Sequence, residues 1–110
     1  MYSKELLKGT IEIIILKLLT QQEKMYGYEI TQRVKAITGN KIEISEGALY
    51  PALHKLEATG TLKTEKVTIG NRARIYYKLT RRGENMASEK LKEMDDFIHS
   101  LTQLMSYKIA

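Results

Sequence analysis

SEGALYPALHKLEATGTLKTEKVTIGNRARIYYKLT, residues Ser45 to Thr80, decides how this chain is read. Ser45 can cap a helix, because its hydroxyl accepts one of the first-turn N–H groups that lack a partner inside the helix. Gly60 closes that helix by supplying the left-handed backbone a C′ position often takes. The spacing therefore predicts a helix over residues 45–59. Leu49, Leu53 and Leu56 recur at helical intervals and form one apolar stripe. Glu46, Tyr50, Pro51, His54 and Lys55 occupy the other side. Pro51 falls one turn in, near enough to the start for its missing N–H to cost little. A helix with a leucine back and a polar, aromatic, basic front can pack on a core and present side chains to a groove.

The residues that follow read as a hairpin. RIYYKL alternates, with Ile75, Tyr77 and Leu79 on one face and Arg74, Tyr76 and Lys78 on the other. Gly70-Asn71 is the turn signal between it and LKTEKV. From Gly60 through Arg82 the bases are Lys63, Lys66, Arg72, Arg74, Lys78, Arg81 and Arg82, against the single acid Glu65. That local excess of six exceeds the formal +5 of the whole chain, so the positive charge is concentrated here. A basic hairpin next to a polar-faced helix is the electrostatic footprint of a duplex-binding surface.

The chain has 110 residues, enough for one compact domain and too few for two. It contains no cysteine, which removes disulfides, thiolate metal sites and thiol redox chemistry. The longest apolar run, IEIIILKLL, is short and interrupted by Glu12 and Lys17, so it reads as a buried helix and not as a membrane span. MYSKELLKG lacks the layout of a signal peptide, and a cytoplasmic location is expected. The sequence pI of about 9.4 fits a nucleic-acid-binding domain.

Ahead of the central stretch, one helix is expected from Lys4 to Thr20. Leu7, Ile11, Ile14, Ile15 and Leu18 share a face, and Leu6, Ile13, Leu16 and Leu19 spread the apolar surface beyond it. A helix apolar on more than one side is buried on more than one side, which suggests a partner subunit. Met25-Tyr26-Gly27 can form a short edge strand, and YEITQRVKAI a second helix ended by Gly39-Asn40. Ile42-Glu43-Ile44 reads as extended. Thr80 is the expected N-cap of a last helix reaching about Tyr107, with Gly83 weakening its first turn. Along it Ala87, Leu91, Met94, Ile98, Leu101 and Met105 repeat at intervals of 4, 3, 4, 3 and 4, widened by Phe97 and Leu104. That is an a/d seam, read here as intermolecular. The fold class is mainly α with a small β-hairpin. It comprises a winged helix-turn-helix over residues 1–80 and a long C-terminal dimerisation helix over 81–110.

Four stretches carry a resemblance: LLKGTIEIIILKLL (Leu6 to Leu19), YGYEI (Tyr26 to Ile30), SEGALYPALHKLEATGTL (Ser45 to Leu62) and YYKLTRRG (Tyr76 to Gly83). Together they resemble the PadR family of bacterial transcription regulators, in particular its shorter members with one C-terminal helix. The third stretch is the most specific. The resemblance implies a winged-helix homodimer that represses promoters and often responds to small hydrophobic compounds. The wing here is short, with the single glycine Gly70, and the chain has no tryptophan, which some short members use to hold flat aromatic drugs.

The expected function is a sequence-specific, dimeric repressor of transcription on an inverted-repeat operator in double-stranded DNA. Helix 45–59 would enter the major groove and the wing, residues 67–74, would flank it. Ser45, Gly47, Tyr50, Pro51, His54 and Lys55 are its expected DNA-binding residues, with Asn71, Arg72 and Arg74 on the wing. Ile13, Leu16, Leu91, Met94, Ile98, Leu101 and Met105 are expected at the homodimer interface. A small hydrophobic effector is placed near Met94, Phe97 and Ile98, whose soft side chains can repack around a guest. The competing reading is a winged-helix module that binds protein and no DNA. Catalysis is not expected. His54 and His99 are lone histidines without acidic neighbours at ligand spacing, and no metal, cofactor or phosphate loop is implied.

Overall fold

The computed structural model describes residues 2–109. Its elements run α1 (Lys4–Lys8), α2 (Ile11–Gln21), β1 (Met25–Tyr26), α3 (Gly27–Ile37), α4 (Glu46–Ala58), β2 (Leu62–Ile69), β3 (Arg72–Leu79) and α5 (Arg81–Met105). This is the expected fold class, a winged helix-turn-helix extended by one long helix.

The single N-terminal helix expected from Lys4 to Thr20 is instead two. α1 is capped by Ser3, whose side chain accepts from the Leu6 N–H. It stops at Gly9, and Thr10 turns back to close it, its N–H and its hydroxyl both donating to the Leu7 carbonyl at 2.9 and 2.8 Å. The Thr10 carbonyl then accepts from Ile14 and starts α2. The break frees α1 from the core, and none of its residues is buried.

α2 runs through the middle of the protein. Ile15, Leu18 and Leu19 join Ile30 and Val34 of α3 and Leu49, Leu53 and Leu56 of α4 in one core, closed by Met25, Leu62 and Tyr77 from the sheet. Burial pushes the Tyr77 hydroxyl above its ordinary pKa. Ile44 is buried in that core, although the segment around it, residues 41–45, pairs with no strand. Leu16 is also fully buried, as is Ala87 of α5, and both stand outside that cluster. α2 packs on α5 as well as on α4, so its second apolar face is covered within its own chain. Leu16 therefore has no surface left for a partner, whereas Ile13 keeps some exposure.

The sheet order is β1-β3-β2, all antiparallel. The short edge strand is present as Met25–Tyr26, while Gly27 already belongs to α3. Register pairs Met25 with Tyr77 on the core side and Tyr26 with Tyr76 on the outer side. Gly70 and Asn71 connect β2 to β3, and only Gly70 has positive φ, 62°. That is the requirement of a II′ turn. The alternation of β3 holds, but Ile75 is exposed, because the hairpin extends past the core beneath it.

α5 starts where β2 starts. The Thr80 hydroxyl donates to the Gly60 carbonyl at 2.6 Å and accepts from the Gly83 N–H at 2.9 Å. The Thr80 N–H donates to the Thr61 carbonyl at 3.1 Å. Gly83 lies against that carbonyl so closely that a Cβ would overlap its oxygen. Its place in the first turn is thus a matter of clearance, which outweighs the modest propensity cost seen in sequence. Among the described residues no helix is long and apolar enough to cross a membrane.

Candidate nucleic-acid interface

α4 is held at its start by Ser45, whose side chain accepts from the Ala48 N–H at 3.3 Å, and at its end by Gly60 at φ 79°. Its leucines point into the core. That leaves Ser45, Gly47, Pro51, His54 and Lys55 exposed on the opposite surface. Tyr50 is different. Its ring is half-buried and its hydroxyl end covers Gly27, the first residue of α3, where a Cβ would strike the ring. Its packing is between helices, with His54 beside it at 6.2 Å between centroids.

Pro51 lies deeper in the helix than its position in the sequence suggests. The Ser45 carbonyl already accepts from Leu49, so the helical ladder is running before residue 51. Pro51 removes the bond that would reach the Gly47 carbonyl. Gly47 is exposed and has no side chain to crowd the proline ring. Water can therefore serve that carbonyl, and the helix continues for seven more residues to Ala58.

The hairpin joins this helix through β2, which packs on α4. The cations of α4, the hairpin and the residues beside them fall into two groups. Lys24 is held by Glu65 at 2.7 Å, Lys55 by Glu12 at 3.1 Å, and Lys78 lies 4.0 Å from Glu23. These pairs are exposed and weak, so they orient side chains more than they stabilise. Glu65 keeps Lys24 above its ordinary pKa by hydrogen bond, and Lys24 in turn holds Glu65 below the usual carboxylate range. Lys63, Lys66 and Arg72, in contrast, are exposed and form no ion pair among the described residues.

Arg72 and Asn71 stand at the tip of the wing. Arg74 does not reach outward with them. Its guanidinium lies over the Tyr26 ring at 4.1 Å and its Nη1 donates to the Tyr76 hydroxyl at 3.5 Å. The hydrogen bond to that hydroxyl raises the Arg74 pKa further above its already high ordinary value. The alternation in sequence places Arg74 correctly on the outer face and does not reveal what it touches there.

Three exposed residues of β2 and α3 lie outside the expected set. Lys63 and Lys66 are visible in sequence as charge alone. Tyr28 follows the glycine beneath Tyr50 and is exposed. Nothing in the sequence separates it from the half-buried Tyr26 two residues earlier.

Along α5 the expected interface residues grade from half-buried to open. Leu91 and Met94 line a shallow groove against Lys17 of α2, with Ile98 at its end. Ile98 is 53% exposed and Met105 73%. Phe97, Leu101 and Leu104 are exposed too. Thus Met94 and Ile98 share the groove, and Phe97 lies outside its lining.

The sequence profile described as the Transcriptional regulator PadR-like family matches residues 15–89. An uncharacterised protein of Lysinibacillus sphaericus is 33% identical over 95 residues, covering 84% of this chain and 85% of that one. A transcriptional regulator of Mycobacterium tuberculosis is 29% identical over 93 residues, 84% of this chain and 83% of its own. Among solved structures, a transcriptional regulator from Clostridium thermocellum superposes with a TM-score of 0.82 at 28% identity. It covers 94% of this chain and 97% of its own.

Proposed function

The chain belongs to the transcriptional regulator PadR-like family, and from that membership we propose that it is a cytoplasmic, homodimeric repressor that binds an inverted-repeat operator in duplex DNA. One observation carries the DNA reading. The exposed face of α4, with Gly47, Pro51, His54 and Lys55, adjoins a hairpin whose Lys63, Lys66 and Arg72 form no ion pair among the described residues. In the proposed complex α4 lies in the major groove and its N-terminus, from Ser45, meets a phosphate. Asn71 and Arg72 reach the flanking backbone, and unpaired lysines contact phosphates without reading sequence.

The dimer reading rests on α5. Its distal half leaves Ile98, Leu101, Leu104 and Met105 exposed in one seam. Ile13, Leu91 and Met94 extend that surface toward the domain. Two copies joined here would set two α4 helices one turn of DNA apart, about 34 Å. An apolar effector lodged beside Met94, Phe97 and Ile98 would act by favouring a different spacing, since a ligand without that preference shifts nothing.

Selection from random duplexes tests the reading. The expected product is an inverted repeat, bound by a dimer in sedimentation, with affinity that falls steeply in salt. Arg72→Ala should flatten that dependence by about 0.9 for each phosphate left without its arginine, or about 1.8 for both arms. Salt-insensitive binding with no preferred sequence would leave a protein-interaction module as the better account. A screen of apolar and aromatic compounds in which none releases the operator would remove the effector.

A further inference from the structure

We propose that Tyr26 clasps the wing to the helix-turn-helix, and that Arg74 is a positioning residue within this clasp, with no phosphate of its own. The inference rests on the duplex-binding reading above and divides the basic hairpin into residues that touch DNA and one that aims them.

The register of β1 on β3 sets Tyr26 opposite Tyr76, so both rings lie on the outer face of the sheet. They meet edge to face, 5.5 Å between centroids and 80° between planes. Each ring carries a cation. Arg74 lies 4.1 Å from the centroid of Tyr26, and the Lys24 ammonium 5.0 Å from that of Tyr76. Ring faces are the negative side of the aromatic quadrupole, so both placements are attractive. Glu65 holds the Lys24 end at 2.7 Å. The stack is closed at one end by a carboxylate and at the other by a guanidinium bound to both tyrosines.

Tyr26 is also where the helix-turn-helix begins. It is the N-cap of α3, and its N–H donates to Glu29 Oε1 at 3.3 Å. Gln22 donates to the other oxygen of Glu29 at 2.7 Å and fixes it from α2's side. The next residue, Gly27, lies under the Tyr50 ring of α4. The wing and the proposed reading helix are thus joined through two consecutive residues, with Arg74 on one and Tyr50 on the other. To take a phosphate, Arg74 would have to leave both the Tyr26 face and the Tyr76 hydroxyl. Arg72, two residues nearer the tip, has neither partner to give up.

The test compares Arg74→Ala, Tyr26→Leu, Tyr26→Phe, the Arg74→Ala/Tyr26→Leu double variant and Arg72→Ala, with two readouts. The first is amide hydrogen exchange in the free protein. Loss of the clasp should speed exchange across residues 63–79 about two- to fivefold, the scale of an exposed cation–π contact. Arg74→Ala and Tyr26→Leu should do so equally and without adding in the double variant. Tyr26→Phe keeps the ring and should match the wild type, as should Arg72→Ala. The second readout is affinity for a selected duplex against salt. Arg74→Ala and Tyr26→Leu should weaken binding with the salt slope unchanged, whereas Arg72→Ala should flatten it. A slope that falls for Arg74→Ala as it does for Arg72→Ala overturns the proposal. If the wild type binds no duplex at all, the regulator reading falls, and exchange alone decides the clasp: unchanged rates in Arg74→Ala and Tyr26→Leu overturn it.

Discussion

The two ends of α5 share one helix and one apolar rhythm, yet they meet opposite surroundings. Near its start, Gly83 and Ala87 are fully enclosed, tied down by Thr80 and packed against α2. From Phe97 to Met105 the same rhythm faces solvent. A 3-4 spacing reports that a face exists and says nothing about who covers it. Of the residues expected at a subunit interface, Leu16 proves to be covered from within, and Leu101 is left open.

That contrast can be broken by comparing Leu16→Ala with Leu101→Ala in denaturant at two protein concentrations a hundredfold apart. Leu16→Ala should lose about 2–5 kcal/mol at both concentrations, as a core truncation does. Leu101→Ala should show a loss that depends on concentration, because it acts through association. Ile98→Asp, in the same open stretch, should yield a folded monomer in sedimentation. A monomeric wild type at micromolar concentration would sink the interface reading while leaving the Leu16 result intact.

Gly83 sharpens the comparison from the buried end. Alanine there should gain up to about 1 kcal/mol of helix propensity. The new Cβ would collide with a backbone carbonyl that cannot turn aside, and such overpacking costs about 1–3 kcal/mol. A net fall in melting temperature is expected, and a rise would show that the junction yields.

The smallest effect concerns pH. Glu65 titrates below its ordinary value, so its contribution is present above that value and is lost as pH falls through the depressed one. Lys24 titrates above its own, so its contribution is complete below the ordinary lysine value and is lost as pH rises through the raised one. Between these limits the pair should add nothing to pH dependence. Wing exchange rates in wild type and Glu65→Gln should therefore differ between these limits and converge only beyond them, in acid below the depressed carboxylate value or in base above the raised lysine value.

Much of the fold was legible because its signals are local. Ser45, Gly60, Thr80 and Gly70-Asn71 each specify a cap or turn through their own chemistry, and the structure uses all of them. The break at Gly9-Thr10 was not legible, since Gly9 keeps helical angles, φ −82° and ψ −1°, and the apolar pattern runs straight through it. In sequence Gly83 signals only a propensity cost, while its role depends on a carbonyl 22 residues earlier in the chain. The candidate site shows the same divide. Charge and face were visible for Arg72 and Arg74 alike. Only the register of β1 on β3 brings Tyr26 under one of them.

The junction at Thr80 has a consequence for angular tolerance. α5 spans 25 residues, about 37 Å at 1.5 Å per residue. Its base is fastened to the foot of the hairpin by Thr80 and by the clearance at Gly83. These contacts hold its base at several points and oppose a swivel there. In the proposed dimer, a tilt of about 5° at the seam would sweep the DNA-reading end through roughly 3 Å, close to the 3.4 Å rise of one base pair. A joint held in this way turns a small error of angle at the seam into a full step of register, so the packing between subunits would discriminate operator spacings before any base is read.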